Sequence, residues 1–430
     1  MISFSKLKKL SFLVYGLGAS GQSVVRHFKK KKIKNYQVWD DKNKSISKKK
    51  RAKNLSDTLN EVDYIVLSPG VSLKNSKNKN ILNKFKKKII TDIDLLYLTN
   101  KNFKSIVVTG TNGKSTTCKL ITHLLKKKKY KVILGGNIGN PILNSNIQKN
   151  NYVVIEASSF QLSHSKFICP DYAFLLNISN DHLDWHKNMN DYINSKFKIF
   201  KLQKKNHFSI IKNEFKNKFK KKKFKGKLII CKSKDFSKIK DKIKNLYLKS
   251  KINHENMCYV YTLSKILKIS EKSFINIMKS FIGLPHRYEI FLKKKNVVFI
   301  NDSKATSFEA TKQALSSSKN IYWILGGLPK KNDKIILKKV KKNIIKAYLI
   351  GNNINFFKKR IQNKINFSIT KNLKNSIINI IKDINILNKS NNTILLSPAA
   401  ASFDQFLNFE KRGEEFKKLS KIYARRYIKI

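Results

Sequence analysis

Acidic residues are scarce: 26 Asp and Glu stand against 92 Lys and Arg in 430 residues, a formal net charge of +66. Cysteine is scarcer still. The four present, Cys118, Cys169, Cys231 and Cys258, form no CxxC pair and have no His at ligand spacing. That pattern excludes a disulfide scaffold and a zinc module and fits a reducing compartment. No run reaches the roughly 18 uninterrupted apolar residues of a membrane-spanning helix, and no internal repeat is present. With 41% hydrophobic residues the chain is too apolar for wholesale disorder. Its length allows two to four domains at about 100–200 residues each.

A positive balance of this size suggests a nucleic acid or an anionic membrane surface as partner. Its texture argues otherwise. The charge is almost all lysine, spread along the whole chain beside abundant Asn and Ile. All three have A/T-rich codons, so a biased genome accounts for them. Dedicated binders concentrate Arg and Lys on one face or in a tail, with aromatics for stacking. The expectation is no specific nucleic acid and no membrane.

The N-terminus permits two readings. Basic residues up to Leu10 followed by apolar Ser11 to Ala19 superficially resemble a signal peptide. The better reading is a buried strand, Phe12 to Tyr15, a glycine turn, Gly16 to Gly21, and a helix from about Gln22. Strand-like runs follow at Gln37–Trp39, ended by Asp40-Asp41, and Tyr64–Leu67, ended by Ser68-Pro69-Gly70. A second block has strands at Ser105–Thr109, Tyr152–Ile155 and Tyr172–Leu176, and ends near Gly283-Leu284-Pro285. A third has strands at Val297–Ile300, Ile321–Leu325, Ala347–Ile350 and Thr393–Leu396. The Lys-rich stretch Phe215 to Lys227 reads as solvated helix faces or loops. Such alternation predicts an α/β fold of three domains, 1–98, 99–283 and 284–430, built on parallel sheets.

The strongest single motif is Gly110-Thr111-Asn112-Gly113-Lys114-Ser115-Thr116, between a strand and a helical stretch. A glycine-rich turn aims backbone N–H groups at phosphate oxygens, and the helix N-terminus adds partial positive charge. The lysine reaches the terminal phosphates and the hydroxyl ligands Mg²⁺. It is a variant, since the standard spacing wants glycine where Val108 stands. The turn Gly16 to Gly21, with Asp40 ending the next strand, suits any ligand carrying a diphosphate and does not distinguish NAD from a UDP-sugar. Glu156 ends a buried strand, as a Mg²⁺ ligand beside a phosphate loop would. The loop Asp181-His182-Leu183-Asp184 offers an imidazole and carboxylates. Alone, His182 reads as a solvated histidine and Lys196 as one lysine among many.

The phosphate loop, Glu156 to Leu162, Asn180 to Asp184, Leu284-Pro285-His286-Arg287 and Asn301 to Thr306 occur in the order seen in the Mur ligases, which the chain resembles over essentially its whole length. The closing Leu396 to Phe406, with Arg412-Gly413 after it, resembles the branch of that family that adds D-glutamate. The resemblance implies an N-terminal Rossmann-like UDP-binding domain, a central P-loop-type ATPase domain and a C-terminal Rossmann-like domain. It implies an ATP-dependent ligase joining D-glutamate to UDP-N-acetylmuramoyl-L-alanine through an acyl phosphate, in cytoplasmic peptidoglycan precursor synthesis, acting as a monomer with ATP and two Mg²⁺. Phosphoryl transfer of this kind needs neutralised charge and alignment rather than a protein nucleophile.

Carried onto this chain, the resemblance gives catalytic roles to Lys114, His182, Lys196 and Lys304. ATP would be bound by the loop Gly110, Thr111, Asn112, Gly113, Lys114, Ser115 and Thr116, with Asn253, Asn256, Arg287 and Asp302. Metal would fall to Ser115, Glu156, His182 and a CO₂-carbamylated Lys196. Ser20, Asp40, Lys42 and Gly70 match a uridine-diphosphate pocket, and Asn137 matches a residue of the substrate and nucleotide sites. Lys304, Thr306, Ser402 and Phe409 would place D-glutamate. Three positions depart from the family pattern: Ile252 replaces a histidine, Lys331 a glycine and Ala400 a common cysteine. A positive-φ turn at Lys331 would carry roughly 1 kcal/mol of strain. The nearest rival is the L-alanine-adding sibling, against which the Ser402-to-Gly413 stretch argues. Folate-polyglutamylating relatives lack the UDP-binding block. From another class stands a nucleic-acid-stimulated NTPase, whose ATP hydrolysis would respond to DNA or RNA.

Overall fold

The computed structural model describes residues 4–42, 50–71, 73, 76–137, 140–181, 185–186, 188–249, 251–330, 333 and 336–427. The chain forms two compact units, Met1–Ile239 with Asn256–Met278, and Lys240–Glu255 with Lys279–Ile430. The described residues carry three sheets, two in the first unit and one in the second.

The first sheet contains β1 (Phe12–Tyr15), β2 (Tyr36–Trp39), β3 (Tyr64–Leu67) and β4 (Ile89–Ile90). All its pairings are parallel, in the order β2-β1-β3-β4. Phe12, Leu13, Val14 and Tyr15 are all buried, as a central parallel strand covered on both faces requires. The signal-like apolar stretch is therefore the middle of a core. A parallel neighbour needs a crossover, and the helix Ala19–Lys30 supplies it, burying Gly21, Val24 and Phe28. A Cβ on Gly21 would sit 1.8 Å from the Gly16 carbonyl oxygen, so the turn closes only around glycine. The chain then reverses its direction of travel across the sheet between β1 and β3, which leaves a crevice beyond the strand C-termini.

The second sheet contains β5 (Lys104–Thr109), β6 (Val132–Gly136), β7 (Tyr152–Glu156), β8 (Tyr172–Leu175), β9 (Phe208–Ile211) and β10 (Lys227–Ile230). It is wholly parallel in the order β10-β9-β8-β5-β7-β6. Its reversal flanks β5, so the ends of β5, β7 and β8 face one opening. Phe12, Val14 and Val66 of the first sheet share one buried cluster with Val107, Val153 and Ile155 of the second. Buried carboxylates join the two sheets as well: Asp92 accepts from Gln161 Nε2 at 3.1 Å and Asp94 from Ser165 Oγ at 2.9 Å. The Lys-rich stretch near 215–227 is more than a solvated face. Its lysines are mostly exposed, but Phe219 and Phe224 pack on Phe200 with ring centroids 5.2 and 5.7 Å away.

The second unit holds β11 (Glu289–Lys294), β12 (Val297–Asn301), β13 (Ile321–Gly326), β14 (Ile344–Ile350), β15 (Phe367–Lys371) and β16 (Asn392–Leu396). Their order is β11-β12-β16-β13-β14-β15, with β11 antiparallel and the rest parallel. Trp323 and Leu325 point into a core on one face, while Tyr322 and Ile324 point into another on the opposite face. That is the period-2 alternation of a strand covered on both sides. Among the described residues no helix is long and apolar enough to cross a membrane.

Candidate active site

Where β5 ends, the chain turns through Gly110 to Gly113 into the helix Lys114–Lys127. Gly113 has φ +84°, and a Cβ there would lie 2.2 Å from Asn256 Oδ1, so only glycine fits. The loop is clamped from β8's end by Asn177. Its carbonyl accepts from the Thr111 N–H at 2.9 Å. Its side-chain Oδ1 accepts from the Asn112 N–H at 2.8 Å, and its Nδ2 donates to the Asn112 carbonyl at 3.2 Å. Thr111 Oγ1 lies 2.9 Å from Tyr192 Oη, whose phenol burial pushes up to about 12.

Lys114 Nζ donates to the carbonyls of Gly110 at 2.9 Å and Thr111 at 2.8 Å. Lys196, on the helix Met189–Phe197 and only 1% exposed, donates from Nζ to the same Gly110 oxygen at 2.9 Å. Two ammonium groups on one carbonyl oxygen repel. Burial first, and then the Lys114 charge, push Lys196 well below the usual lysine range, against an opposing pull from Asp181. The Lys196 amine also lies 4.5 Å from the centre of the Tyr192 ring, four residues earlier on the same helix. The structure therefore holds a buried lysine biased toward its neutral form, bonded to the same carbonyl as Lys114.

Glu156, at the end of β7, accepts from Ser115 Oγ at 2.6 Å on one oxygen and from Asn137 Nδ2 at 3.1 Å on the other. Ser115 and Glu156 are both nearly inaccessible, at 2% and 3% exposure. A hydroxyl and a carboxylate oxygen facing each other beside a phosphate loop are hard donors that fit Mg²⁺. Asn256 closes this cluster, accepting from Thr117 Oγ1 at 3.2 Å. His182 lies outside the described residues, as does Lys331.

Elsewhere in the first unit, Ser20, Asp40, Lys42 and Gly70 follow the C-termini of β1, β2 and β3. The Asp40 carboxylate accepts from the Leu17 N–H at 2.5 Å and the Lys42 N–H at 2.8 Å, which pins the glycine turn to the end of β2. Gly70 is exposed, and no atom of the described residues lies within 4 Å of a built Cβ, so those residues do not sterically require glycine there. Asp41, read only as a strand end, is a hub: it accepts from Tyr15 Oη at 2.9 Å, Trp39 Nε1 at 2.9 Å and Asn78 Nδ2 at 2.8 Å.

The second unit holds Asn253, whose Nδ2 donates to the Tyr247 carbonyl at 2.9 Å. It also holds Arg287, Asp302, Lys304, Thr306, Ser402 and Phe409. Arg287 is flanked by two left-handed residues, His286 at φ +60° and Tyr288 at φ +47°. Asp302 holds that loop in place, accepting from the Tyr288 N–H at 3.0 Å on Oδ1 and from Ser397 Oγ at 2.7 Å on Oδ2. Burial raises its carboxyl from 3.8 to about 7, against those hydrogen bonds and the Arg287 charge. Lys304 Nζ stands 4.1 Å above the Phe409 ring, Ser402 is 2% exposed, and Thr306 is half-buried in the loop after Lys304. Sequence gives no role to Asn177, Tyr192 or Asp41, and places Arg412 in a motif without assigning it one. Only Tyr192 carried a usable signal, its i, i+4 spacing to Lys196.

Two family descriptions match the chain: the Mur ligase MurD-like N-terminal domain over residues 10–90 and the Mur ligase middle domain over 108–283. A relative from Rickettsia prowazekii named UDP-N-acetylmuramoylalanine–D-glutamate ligase is 37% identical, covering 96% of this chain and 98% of its own. A Buchnera aphidicola protein of the same name is 36% identical over 95% and 97%. Among solved structures, MurF ligase from Thermotoga maritima in complex with ADP matches with a TM-score of 0.59 and 14% identity, covering 99% and 97% of the two chains. UDP-N-acetylmuramate-alanine ligase MurC from the same organism matches at TM-score 0.57 and 15% identity, over 97% and 99%. At such identities the structures speak for the three-sheet α/β fold alone.

Proposed function

The chain belongs to the Mur ligase family, and from that footing we propose that it uses ATP to join D-glutamate to UDP-N-acetylmuramoyl-L-alanine in peptidoglycan precursor synthesis. One observation carries the chemistry: Lys114 and Lys196 share the Gly110 oxygen beside the Ser115–Glu156 pair. An ordinary strand-to-helix turn has no use for that arrangement. The choice of amino acid rests on full-length likeness to ligases named for D-glutamate.

In this reading the loop N–H groups and Lys114 receive the β- and γ-phosphates, as an anion at a helix N-terminus requires. The substrate carboxylate takes the γ-phosphoryl group, forming a C–O–P bond as the bond to ADP breaks. The amine of D-glutamate then attacks the acyl carbon, loses a proton, and phosphate leaves. Lys114 stabilises charge that develops on the transferring group. Ser115 and Glu156 would hold Mg²⁺, which when bound neutralises phosphate charge. His182 and Lys196 would hold a second ion. A neutral Lys196 amine is the form that attacks CO₂; losing one proton, it becomes an anionic carbamate beside Lys114. Arg287, Asp302, Asn253 and Asn256 would serve ATP, and Ser20, Asp40, Lys42, Gly70 and Asn137 the UDP-sugar substrate. Lys304, Thr306, Ser402 and Phe409 would serve D-glutamate. We assign the three functional blocks to 1–98, 99–283 and 284–430, and the enzyme to the cytoplasm as a monomer.

The test is an amino-acid panel with ATP, Mg²⁺ and UDP-N-acetylmuramoyl-L-alanine, following phosphate release and the nucleotide product. D-glutamate should exceed L-alanine and meso-diaminopimelate by about tenfold or more in kcat/KM. Equal turnover with all three would overturn the assignment.

A further inference from the structure

Four segments of the second unit meet at one side chain to which nothing above gives a role. Arg412, in the first turn of the helix Phe409–Tyr427, is 1% exposed. Its Nε donates to Ser303 Oγ at 3.0 Å, and its Nη2 donates to the carbonyls of Ser303 at 2.7 Å and Ala400 at 2.9 Å. Among the described residues the remaining nitrogen, Nη1, is buried without a hydrogen-bond partner. It lies 3.2 Å from where a Cβ on Gly327 would stand, so the guanidinium also fills the space beneath the Gly326-Gly327 turn. Burial lowers its pKa to about 10, against the favourable charge of Asp404, and it stays cationic at neutral pH.

The bonds do not stop at Ser303. Its hydroxyl, held by Nε, donates onward to the Phe409 carbonyl at 2.8 Å. The Phe409 ring in turn carries the Lys304 ammonium 4.1 Å from its centre. Lys304 is the residue after Ser303, and its own N–H is fixed on the His286 carbonyl at 3.1 Å. The other branch, through Ala400, ends two residues before Ser402. One planar fork thus sets the spacing of Lys304, Phe409 and Ser402, which come from three separate stretches of chain. A lysine could not do this: its ammonium is a point donor on a flexible stem and cannot span three acceptors in one plane.

We propose that Arg412 is a positioning residue for the amino-acid substrate, holding Lys304, Phe409 and Ser402 in register for the two carboxylates of D-glutamate. The inference rests on the activity proposed above. Arg412 is itself too buried to touch substrate; it acts through the residues it ties.

The experiment uses full-length Arg412→Lys and Ser303→Ala, with KM measured separately for D-glutamate, ATP and UDP-N-acetylmuramoyl-L-alanine. A parallel assay omits D-glutamate and traps the acyl phosphate with hydroxylamine, which reads the first half-reaction alone. In R412K the KM for D-glutamate should rise about tenfold or more, while the other two KM values and the hydroxamate rate stay within about twofold. S303A, which removes one acceptor of three, should show the same split at smaller size. The double variant should cost less than the product of the singles, as one network requires. Parallel loss in all three KM values and in hydroxamate would mean general damage to the unit and would overturn the proposal, as would unchanged D-glutamate kinetics. If R412K loses cooperative unfolding, S303A decides by the same criteria. A wild type without D-glutamate-dependent turnover would overturn the activity itself, and this inference with it.

Discussion

The phosphate loop and the cluster around Arg412 solve one problem, holding charged side chains still, by opposite means. At the loop, position comes from backbone. Seven consecutive residues supply the turn, the helix start, Lys114 and Ser115, and the neighbouring strand ends add Glu156 and Asn177. Around Arg412, position comes from a side chain. A buried guanidinium gathers carbonyls and a hydroxyl from segments 12 and 109 residues away. A phosphate is the same ligand in every nucleotide, so a contiguous motif suffices to hold it. An amino acid must be told from its relatives, and that calls for groups from several segments whose spacing another residue sets.

The sharpest break of that contrast lies in the loop. Lys114→Ala should reduce ATP-dependent phosphate release by about a thousandfold or more, because it removes the lysine side chain that the phosphate loop itself supplies to the transferring group. A loss under tenfold, about 1.4 kcal/mol, would remove Lys114 from the chemistry. Next in size is Lys196→Ala, expected to cost about a hundredfold or more. Activity should return in part with added formate or acetate, because a small carboxylate can occupy the space of a carbamate. A dead variant that no carboxylate restores would count against carbamylation and leave Lys196 a neutral amine on the Gly110 carbonyl.

Asp302 probes the second unit through pH. Its carboxyl is raised from 3.8 to about 7 in the fold, chiefly by burial. The proton is therefore bound more tightly folded than unfolded. That contribution to stability is fully present below about pH 4, is lost as pH rises toward 7, and is gone above it. Asp302→Asn has no such titration. Wild-type stability relative to the variant should fall by about 2–4 kcal/mol between pH 4 and 7, then level off. Denaturant midpoints at stepped pH give the comparison, and a flat difference across that window would show the carboxyl to be ionised in the fold.

The same division governs what could be read from sequence. Strands covered on both faces, such as Phe12–Tyr15 and Ile321–Gly326, stood out as apolar runs and are there within a residue or two. The edge strands Lys227–Ile230, Glu289–Lys294 and Phe367–Lys371 did not, because one side of an edge needs no burial and lysine or glutamate interrupts the run. In the site, Lys114 and Ser115 declare themselves by contiguity and Glu156 by ending a buried strand. Lys196 meets the Gly110 carbonyl across 86 residues of sequence, and no spacing announces that. Family likeness names it; the structure adds that its amine and that of Lys114 meet on one oxygen. Arg412 stands in a motif without a task, since nothing local distinguishes it from the lysine before it.

That lysine is the control. Lys411 and Arg412 are adjacent on one helix, carry the same charge, and sit in opposite environments. Lys411 Nζ is 2.9 Å from Glu414 Oε2, with both side chains more than half exposed. Water screens such a pair, and holding two long side chains together costs much of what attraction returns. Arg412 has no water to fall back on. Lys411→Ala should leave the melting curve superimposable on wild type and every KM within about twofold. It removes one of many positive charges at the protein's surface, so an effect on D-glutamate KM as large as that of R412K would mean that the site responds to bulk field rather than to the fork of Arg412. Salt would then reproduce the defect in wild type, since exposed charges are screened over about 10 Å at 0.1 M ionic strength. With the fork in command, the Lys411→Ala and wild-type salt titrations of D-glutamate KM should coincide, and only R412K should stand apart from both.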